Sequence, residues 1–401
     1  MNEIRNKVKI TLGEPTVIFR GAEFSKVGWG PTQFPRIEPT NNGLIIVHWN
    51  ETQDSLESIT DTPGFAVSED GGATWRSKKS SEKLMGQVVM SNGKYFHGFT
   101  PENAVAVDFL DKYTPVYSFP TGWDGIKDIY NASEIKELSN VITASEYDPE
   151  TDEYTYFDST INWPNRPVSS FRKFAGKIKP LSLSMAYGGN ATAIRIGTDI
   201  YIAVGATGLV PETGEPTKYK TGSIYVFKTS DCARTWDYVS YVEVTENVLN
   251  DDPKKFDGFC EPKMNVMPDG SVIMIMRSGR NIPSFIVRST DNCKTWSKPE
   301  YFDCLGVWPQ ITTLGCGITL ATYGRHGIRL KATTDPSGIV WDDSIIMPLT
   351  EDCNDCTCAY TWHYVIDDNT ILMAYSDLYY PDENGVERKT ILVRTVRVDA
   401  D

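Results

Sequence analysis

A chain of 401 residues with 53 acidic and 39 basic side chains has a formal charge of −14 and no Lys/Arg-rich block, which argues against a nucleic-acid partner, whose phosphates need a basic face. Apolar residues make up 40% and aromatics 11%, enough for a packed core and unlike a disordered chain. No apolar run approaches the ~18 residues of a transmembrane helix, which excludes a helical membrane span.

The acidic balance does not exclude an acidic small molecule. A few converging arginines bind carboxylate bidentately at short range, while the distant net charge is screened by salt. The first residues, MNEIRNKVKITLGEP, hold no apolar signal-peptide core, which points to the cytoplasm unless a secretory or periplasmic signal has been trimmed.

Strand-like runs then recur at Thr16–Phe19, Gly43–Trp49, Gln87–Met90, Ala104–Val107, Ala191–Ile196, Asp199–Val204, Gly222–Lys228, Ser271–Arg277, Gly317–Tyr323, Thr370–Tyr375 and Thr390–Val398. Turn residues separate them at short intervals, which is the pattern of an all-β chain. The best helical stretch, Ala132–Leu138 (ASEIKEL), is short. Tyr147–Leu183, with Trp163-Pro164-Asn165-Arg166-Pro167, is the least legible part and is expected to carry a long loop over one face. Thr390–Val398 is expected to pair with Lys7–Thr11 and so remove a free sheet edge.

Phe259–Trp296 gathers several signals in one stretch. MNVM and SVIMIMR flank Pro268-Asp269-Gly270, whose turn chemistry predicts a hairpin, with Glu261 near its first strand and Arg277 near the end of its second. The stretch ends in Ser289-Thr290-Asp291-Asn292-Cys293-Lys294-Thr295-Trp296, one copy of an internal repeat. Ser68–Trp75 follows the pattern S-x-D-x-G-x-T-W, Thr229–Trp236 repeats it with Ala in place of Gly, and a worn copy spans Thr333–Trp341. The Asp and the Ser/Thr are suited to tying down turn amides while the Trp packs beneath, so the repeat is read as a structural corner.

The repeat resembles the Asp box, and the chain resembles the sialidase (neuraminidase) superfamily. That resemblance implies a single domain over residues 1–401, an all-β six-bladed β-propeller of four-stranded antiparallel blades. It also implies a retaining exo-glycosidase acting on a glycan that ends in an acidic sugar, foremost α-linked sialic acid, with no cofactor.

The site residues follow from the same resemblance. Arg36 (in FPRI), Arg277 (in IMRS) and Arg325 (in YGRHG) match the triad that grips the substrate carboxylate, with Arg280, Arg288 and Arg329 as competitors. Guanidinium suits this role because it stays charged and binds carboxylate bidentately. Glu261, sixteen residues before Arg277, matches the glutamate partner of the nucleophile. Tyr360, in Cys358-Ala359-Tyr360-Thr361, matches the nucleophile itself. A neutral phenol can approach an anomeric carbon that bears a carboxylate, where an anionic nucleophile would be repelled. Asp61, nine residues before Asp70, matches the acid/base, and Glu51, Asp54 and Glu57 on the same stretch are alternatives.

Cys353, Cys356 and Cys358 have half of a metal-site spacing but no matching Cys/His pair, so ordinary thiols are expected and no metal. The nearer rival functions are action on another acidic sugar and transfer or elimination in place of hydrolysis. The more distant rival is a non-catalytic glycan-binding propeller.

Overall fold

A computed structural model describes residues 8–53, 63–77, 83–86, 88–99, 105–107, 109–121, 125–171, 179–183, 191–249, 256–279, 282–304, 306–325, 327–347, 349–350 and 360–400. Strands dominate. Among the described residues, helix is confined to Phe24–Val27 and the 3-10 turns Leu110–Lys112, Ala132–Glu134 and Glu246–Val248. No described helix is long and apolar enough to cross a membrane.

Packing divides the chain into two compact units, Met1–Met85 with Asn265–Ile273 and Asp303–Asp401, and Gly86–Met264 with Met274–Phe302. Three sheets lie in the first. Gln33–Pro39, Ile45–Asn50, Pro63–Ser68 and Arg76–Ser77 form an antiparallel meander, as do Val307–Thr313, Thr319–Gly324, Ile328–Thr333 and Ile345–Met347. The third runs Thr361–Asp367, Thr370–Pro381, Glu387–Ala400, and is completed by two strands near the N-terminus: Val8–Leu12, from Val8 opposite Ala400 to Leu12 opposite Val396, and Thr16–Arg20, from Thr16 opposite Val393 to Arg20 opposite Thr390. The expected pairing of the two chain ends is therefore present.

Side-chain alternation explains how this third sheet is buried on both faces. Ile371, Met373 and Tyr375 pack into one core with Leu320 and Leu330. Leu372 and Ala374 point the other way, into a second core with Ile37 and Val47. Period-two alternation thus feeds two cores from one continuous apolar run, and each buried large side chain contributes roughly 1.5–3 kcal/mol.

In the second unit a twelve-stranded sheet is built from successive runs of neighbours. Val141–Asp148 lies between Tyr95–Phe99 and Glu153–Asn162, and Ala191–Ile196, Asp199–Thr207, Gly222–Thr229 and Thr235–Val242 form another antiparallel run. Parallel pairings join the runs, Thr160–Asn162 with Thr235–Asp237, and Gly222 with Gly258. Gly258 has φ +80°, and a Cβ there would lie 2.2 Å from the Gly222 amide nitrogen, so only glycine permits that approach. The core of this unit gathers Trp163, Ile202, Tyr225, Phe227 and Trp236.

Two sequence expectations need correction. Tyr147–Leu183 is not a long loop but contains Glu153–Asn162, Pro167–Phe171 and Lys179–Leu183. The last two join Val105–Val107, Tyr117–Thr121 and Gly125–Asn131 in a separate five-stranded antiparallel sheet. Glu153–Asn162 is largely exposed over its first half, which erases the apolar alternation that would have marked it. The turn between strands is held by side chains instead: Asn131 donates to Asn165 at 2.8 Å, and Asn165 donates to the Pro211 carbonyl at 2.7 Å. Ala132–Leu138 is the second correction, since only Ala132–Glu134 is helical, as one 3-10 turn capped by the Asn131 side chain. Burial of Ala132 and Ile135 against Leu110, Tyr130 and Val168 overrides helix propensity there.

The repeated motif folds the same way each time, in the link between the last two strands of a run. Asp70, Asp231 and Asp291 each accept the amide of the threonine four residues on, at 2.8, 2.9 and 2.9 Å, while the hydroxyls of Ser68, Thr229 and Ser289 donate to the same carboxylates at 2.8 Å. Paired left-handed residues make each corner: Gly71 and Gly72, Cys232 and Ala233, Asn292 and Cys293. The Thr74 hydroxyl and amide hold the Asp70 carboxyl down at about 2, and those of Thr295 do the same for Asp291. In the worn copy, burial opposes ionisation of Asp335, but donors from Ser337, Val340 and Ile339 outweigh it and leave it at about 2.

Candidate functional site

The hairpin around Met267–Ser271 brings Glu261 and Arg277 together, both of them residues of the second unit. The turn closes through Gly270 N to Met267 O and Met267 N to Ser271 O, both 2.8 Å. Arg277 Nη1 donates to Glu261 Oε1 at 2.7 Å, and its Nε donates to the Gly279 carbonyl at 3.2 Å. The side chains are 15% and 9% exposed, so the pair holds two largely shielded charges against each other. Glu261 has φ +47° and precedes Pro262, an unfavourable backbone state for a bulky residue.

In the first unit, Thr361–Asp367 lies between Gln33–Pro39 and Val307–Thr313, each the first strand of its sheet. The other two strands open with the same irregularity. Phe34 (φ +58°) and Trp308 (φ +49°) precede Pro35 and Pro309, and pairing with the neighbouring strand slips between Gln33 and Arg36 and between Val307 and Gln310. These bulges re-aim side chains. Phe34 and Trp308 flank Tyr360: the Trp308 ring stacks on it at 4.9 Å with 7° between planes, and Phe34 meets it at 5.0 Å, tilted by 60°. The Arg36 guanidinium lies 5.2 Å from the ring centre of Trp362, itself 6.2 Å from Trp308. Arg36 and Tyr360 therefore share one aromatic cluster.

Arg325 follows Thr319–Gly324, and because Gly324 sits opposite Val307 it emerges at the same end of its sheet as Trp308. It is buried, with φ +69°, and its amide donates to the Gly327 carbonyl at 3.2 Å. Its competitor Arg329 is engaged elsewhere, 3.9 Å from Asp303 and 3.4 Å from the Ser344 hydroxyl. Asp61, Asp54, Glu57, Arg280, Cys353, Cys356 and Cys358 lie outside the described residues. Among the described residues, no group of three or more His, Cys, Asp or Glu could hold a metal ion.

Glu51, immediately after Ile45–Asn50, is held from two sides. Trp49 Nε1 donates to its Oε1, and Thr32 Oγ1 donates to Oε1 at 3.2 Å and to Oε2 at 3.4 Å. Burial pushes its carboxyl above the ordinary glutamate range, against those hydrogen bonds and the Lys389 charge, which pull it down. Lys389 is fully buried, donating to the Gly28 carbonyl at 2.7 Å and Gln33 Oε1 at 2.9 Å.

Phe34 and Trp308 were missed by sequence reasoning. A signal existed: Phe34-Pro35, Glu261-Pro262 and Trp308-Pro309 each put a bulky residue before proline within the first strand of a run, and each takes a positive φ.

No family model and no curated protein matches the chain. Among solved structures it is similar to a protein of unknown function from Dyadobacter fermentans DSM 18053, at 16% identity over 97% of this chain and 99% of that one, with a TM-score of 0.55. It also aligns with the Hadza microbial sialidase Hz136, at 14% identity over 96% and 68% of the two chains and a TM-score of 0.49. A Penicillium chrysogenum alpha-L-arabinanase aligns at 12% identity over 96% and 98%, again with a TM-score of 0.49. The likeness to the Dyadobacter protein is one of fold, and it extends over nearly the whole of both chains.

Proposed function

We propose that the chain is a single six-bladed β-propeller of four-stranded blades that works as a retaining exo-glycosidase on a terminal acidic sugar, with α-linked sialic acid the leading substrate. The sheet runs and repeated corners support the fold. The observation that carries the function is the shielded ion pair of Glu261 and Arg277, two residues that the sialidase resemblance singles out and that meet at 2.7 Å.

In this reading Arg36, Arg277 and Arg325 bind the substrate carboxylate. Tyr360 attacks the anomeric carbon while Glu261 takes its phenolic proton, an acid from the stretch Glu51–Pro63, with Asp61 implied by the resemblance, protonates the leaving oxygen, and water then resolves the glycosyl-tyrosine. No metal or organic cofactor is needed. The test is a panel of fluorogenic glycosides of sialic acid, its deaminated form and uronic acids, assayed with wild type and Tyr360→Phe. Release of the free sugar with retained configuration, nearly abolished in Tyr360→Phe, is expected. Unimpaired hydrolysis by Tyr360→Phe removes the mechanism, and an inert wild type removes the activity.

The packing of Tyr360 between Phe34 and Trp308 favours one second reading, a glycan-binding propeller in which Tyr360 serves as part of a stacking surface. Binding of sialylated ligand without product, at unchanged affinity in Tyr360→Phe, would distinguish it.

A further inference from the structure

The setting of Glu51 assigns a role within the proposed glycosidase. It stands just past the end of Ile45–Asn50, and Asn50 pairs with Gln33, so its backbone is at the end of the sheet where Phe34 and Arg36 enter their strand. Thr32, which reaches its carboxyl, is buried and has φ +54°. A β-branched residue in that region is an outlier that the surrounding structure must enforce, and such outliers cluster at functional sites. Gly21 leaves room for it, since a Cβ there would lie 2.4 Å from Thr32 Oγ1. Trp49, the other donor, is likewise accommodated by a glycine: a Cβ on Gly64 would lie 2.1 Å from its indole.

The two oxygens of Glu51 are treated differently. Oε1 takes the Trp49 bond and the shorter Thr32 contact, whereas Oε2 has only the long Thr32 approach at 3.4 Å. A half-buried carboxyl gripped by one oxygen leaves the other to carry a proton. The charged group that acts on it among the described residues is Lys389, on Glu387–Ala400, and burial outweighs that charge and the Trp49 and Thr32 hydrogen bonds, raising the carboxyl pKa.

We propose that Glu51 is the proton donor to the leaving-group oxygen. This rests on the glycosidase reading and moves its acid from Asp61 to Glu51. As the bond from the anomeric carbon to the leaving oxygen breaks, its electron pair stays on that oxygen and the Glu51 carboxyl proton joins it, so the leaving group departs as an alcohol. The Glu51 carboxylate then takes a proton from the water that adds to the anomeric carbon, which restores the acid.

The test compares Glu51→Gln, Glu51→Asp and Asp61→Asn on two probes, sialyllactose, with an alkyl leaving group, and the 4-methylumbelliferyl glycoside, whose phenolate leaves without help. Glu51→Gln is expected to lose ~10² to 10⁴-fold in kcat on sialyllactose and less than ~10-fold on the aryl glycoside, with the basic limb of the pH profile gone. Glu51→Asp, which keeps a proton but shortens its reach, should fall between. An active wild type with an unimpaired Glu51→Gln, or leaving-group dependence in Asp61→Asn in place of Glu51→Gln, overturns the assignment alone. A wild type inert on both probes and on the wider panel overturns the glycosidase reading, and the role with it.

A carbon-13 titration of the Glu51 carboxyl, identified by its loss in Glu51→Gln, needs no substrate. Its midpoint should lie above the ~4.3 of an unperturbed glutamate and rise further in Thr32→Val, which removes a hydrogen bond to the carboxylate. An ordinary midpoint refutes the proposal whatever the kinetics show.

Discussion

Removing Glu261 alone should destabilise the protein far more than removing Glu261 and Arg277 together. The contact is 2.7 Å long between side chains 9% and 15% exposed. At an effective dielectric of about 20, two unit charges at that separation attract by roughly 6 kcal/mol, and desolvation offsets most of this at several kcal/mol per ion. The intact pair is thus close to neutral for stability, but a shielded Arg277 left without its carboxylate costs about 3–5 kcal/mol. Glu261→Leu should therefore lower the unfolding free energy by about that amount, and Glu261→Leu with Arg277→Met should recover most of it. Urea unfolding followed by tryptophan fluorescence, run as a double-mutant cycle, measures both quantities. A loss below about 1 kcal/mol for Glu261→Leu, or two losses that simply add, would refute the reasoning.

Two other perturbations test the scaffold. Asp70, Asp291 and Asp335 are held at about 2, below the ordinary aspartate value of 3.8, so their contribution to stability is complete above pH 4 and is lost as pH falls through about 2. The urea midpoint should drop across that window, and the drop should shrink in Asp291→Asn; an unchanged slope in that variant would show that the corner carries no linkage. Gly258→Ala, at φ +80° with a neighbouring backbone nitrogen 2.2 Å from the new methyl, should cost at least 1–3 kcal/mol by overpacking alone, whereas Gly270→Ala, with open space around its Cβ, should lose only the cost of its positive φ. Equal losses in the two variants would remove the close-approach argument.

What could be read beforehand was local chemistry. The corner motifs were legible because an aspartate four residues before the amide that donates to it needs no distant partner, and Asp70, Asp231 and Asp291 accept those bonds. The hairpin at Pro268-Asp269-Gly270 was legible for the same reason. The pairing of the chain ends is long-range, but it was foreseeable from two strand-like runs whose edges needed covering. Tyr147–Leu183 was misread because an exposed strand has no apolar period, and Ala132–Leu138 because burial of Ala132 and Ile135 shortened its helix to one turn.

For the candidate site, residue types came from the sequence and environments from the fold. The sixteen-residue interval between Glu261 and Arg277 named the pair, but its shielding depends on the side chains packed around that hairpin. Tyr360 was singled out among 20 tyrosines by its neighbours in sequence and its place in the last blade, yet the rings on either side of it, Phe34 and Trp308, come from two other sheets, 326 and 52 residues away in sequence. Glu51 was one acid among several on an acidic stretch until Trp49, Thr32 and Lys389 were seen around it. The sequence by itself determined the turns, the corner motifs and the strands whose apolar pattern is intact, because propensity and near-neighbour hydrogen bonds act within a few residues. Only the tertiary structure decided which carboxyl is half-buried, which arginine has a carboxylate partner and which aromatic rings meet, because burial and convergence depend on groups the chain brings together only when it folds.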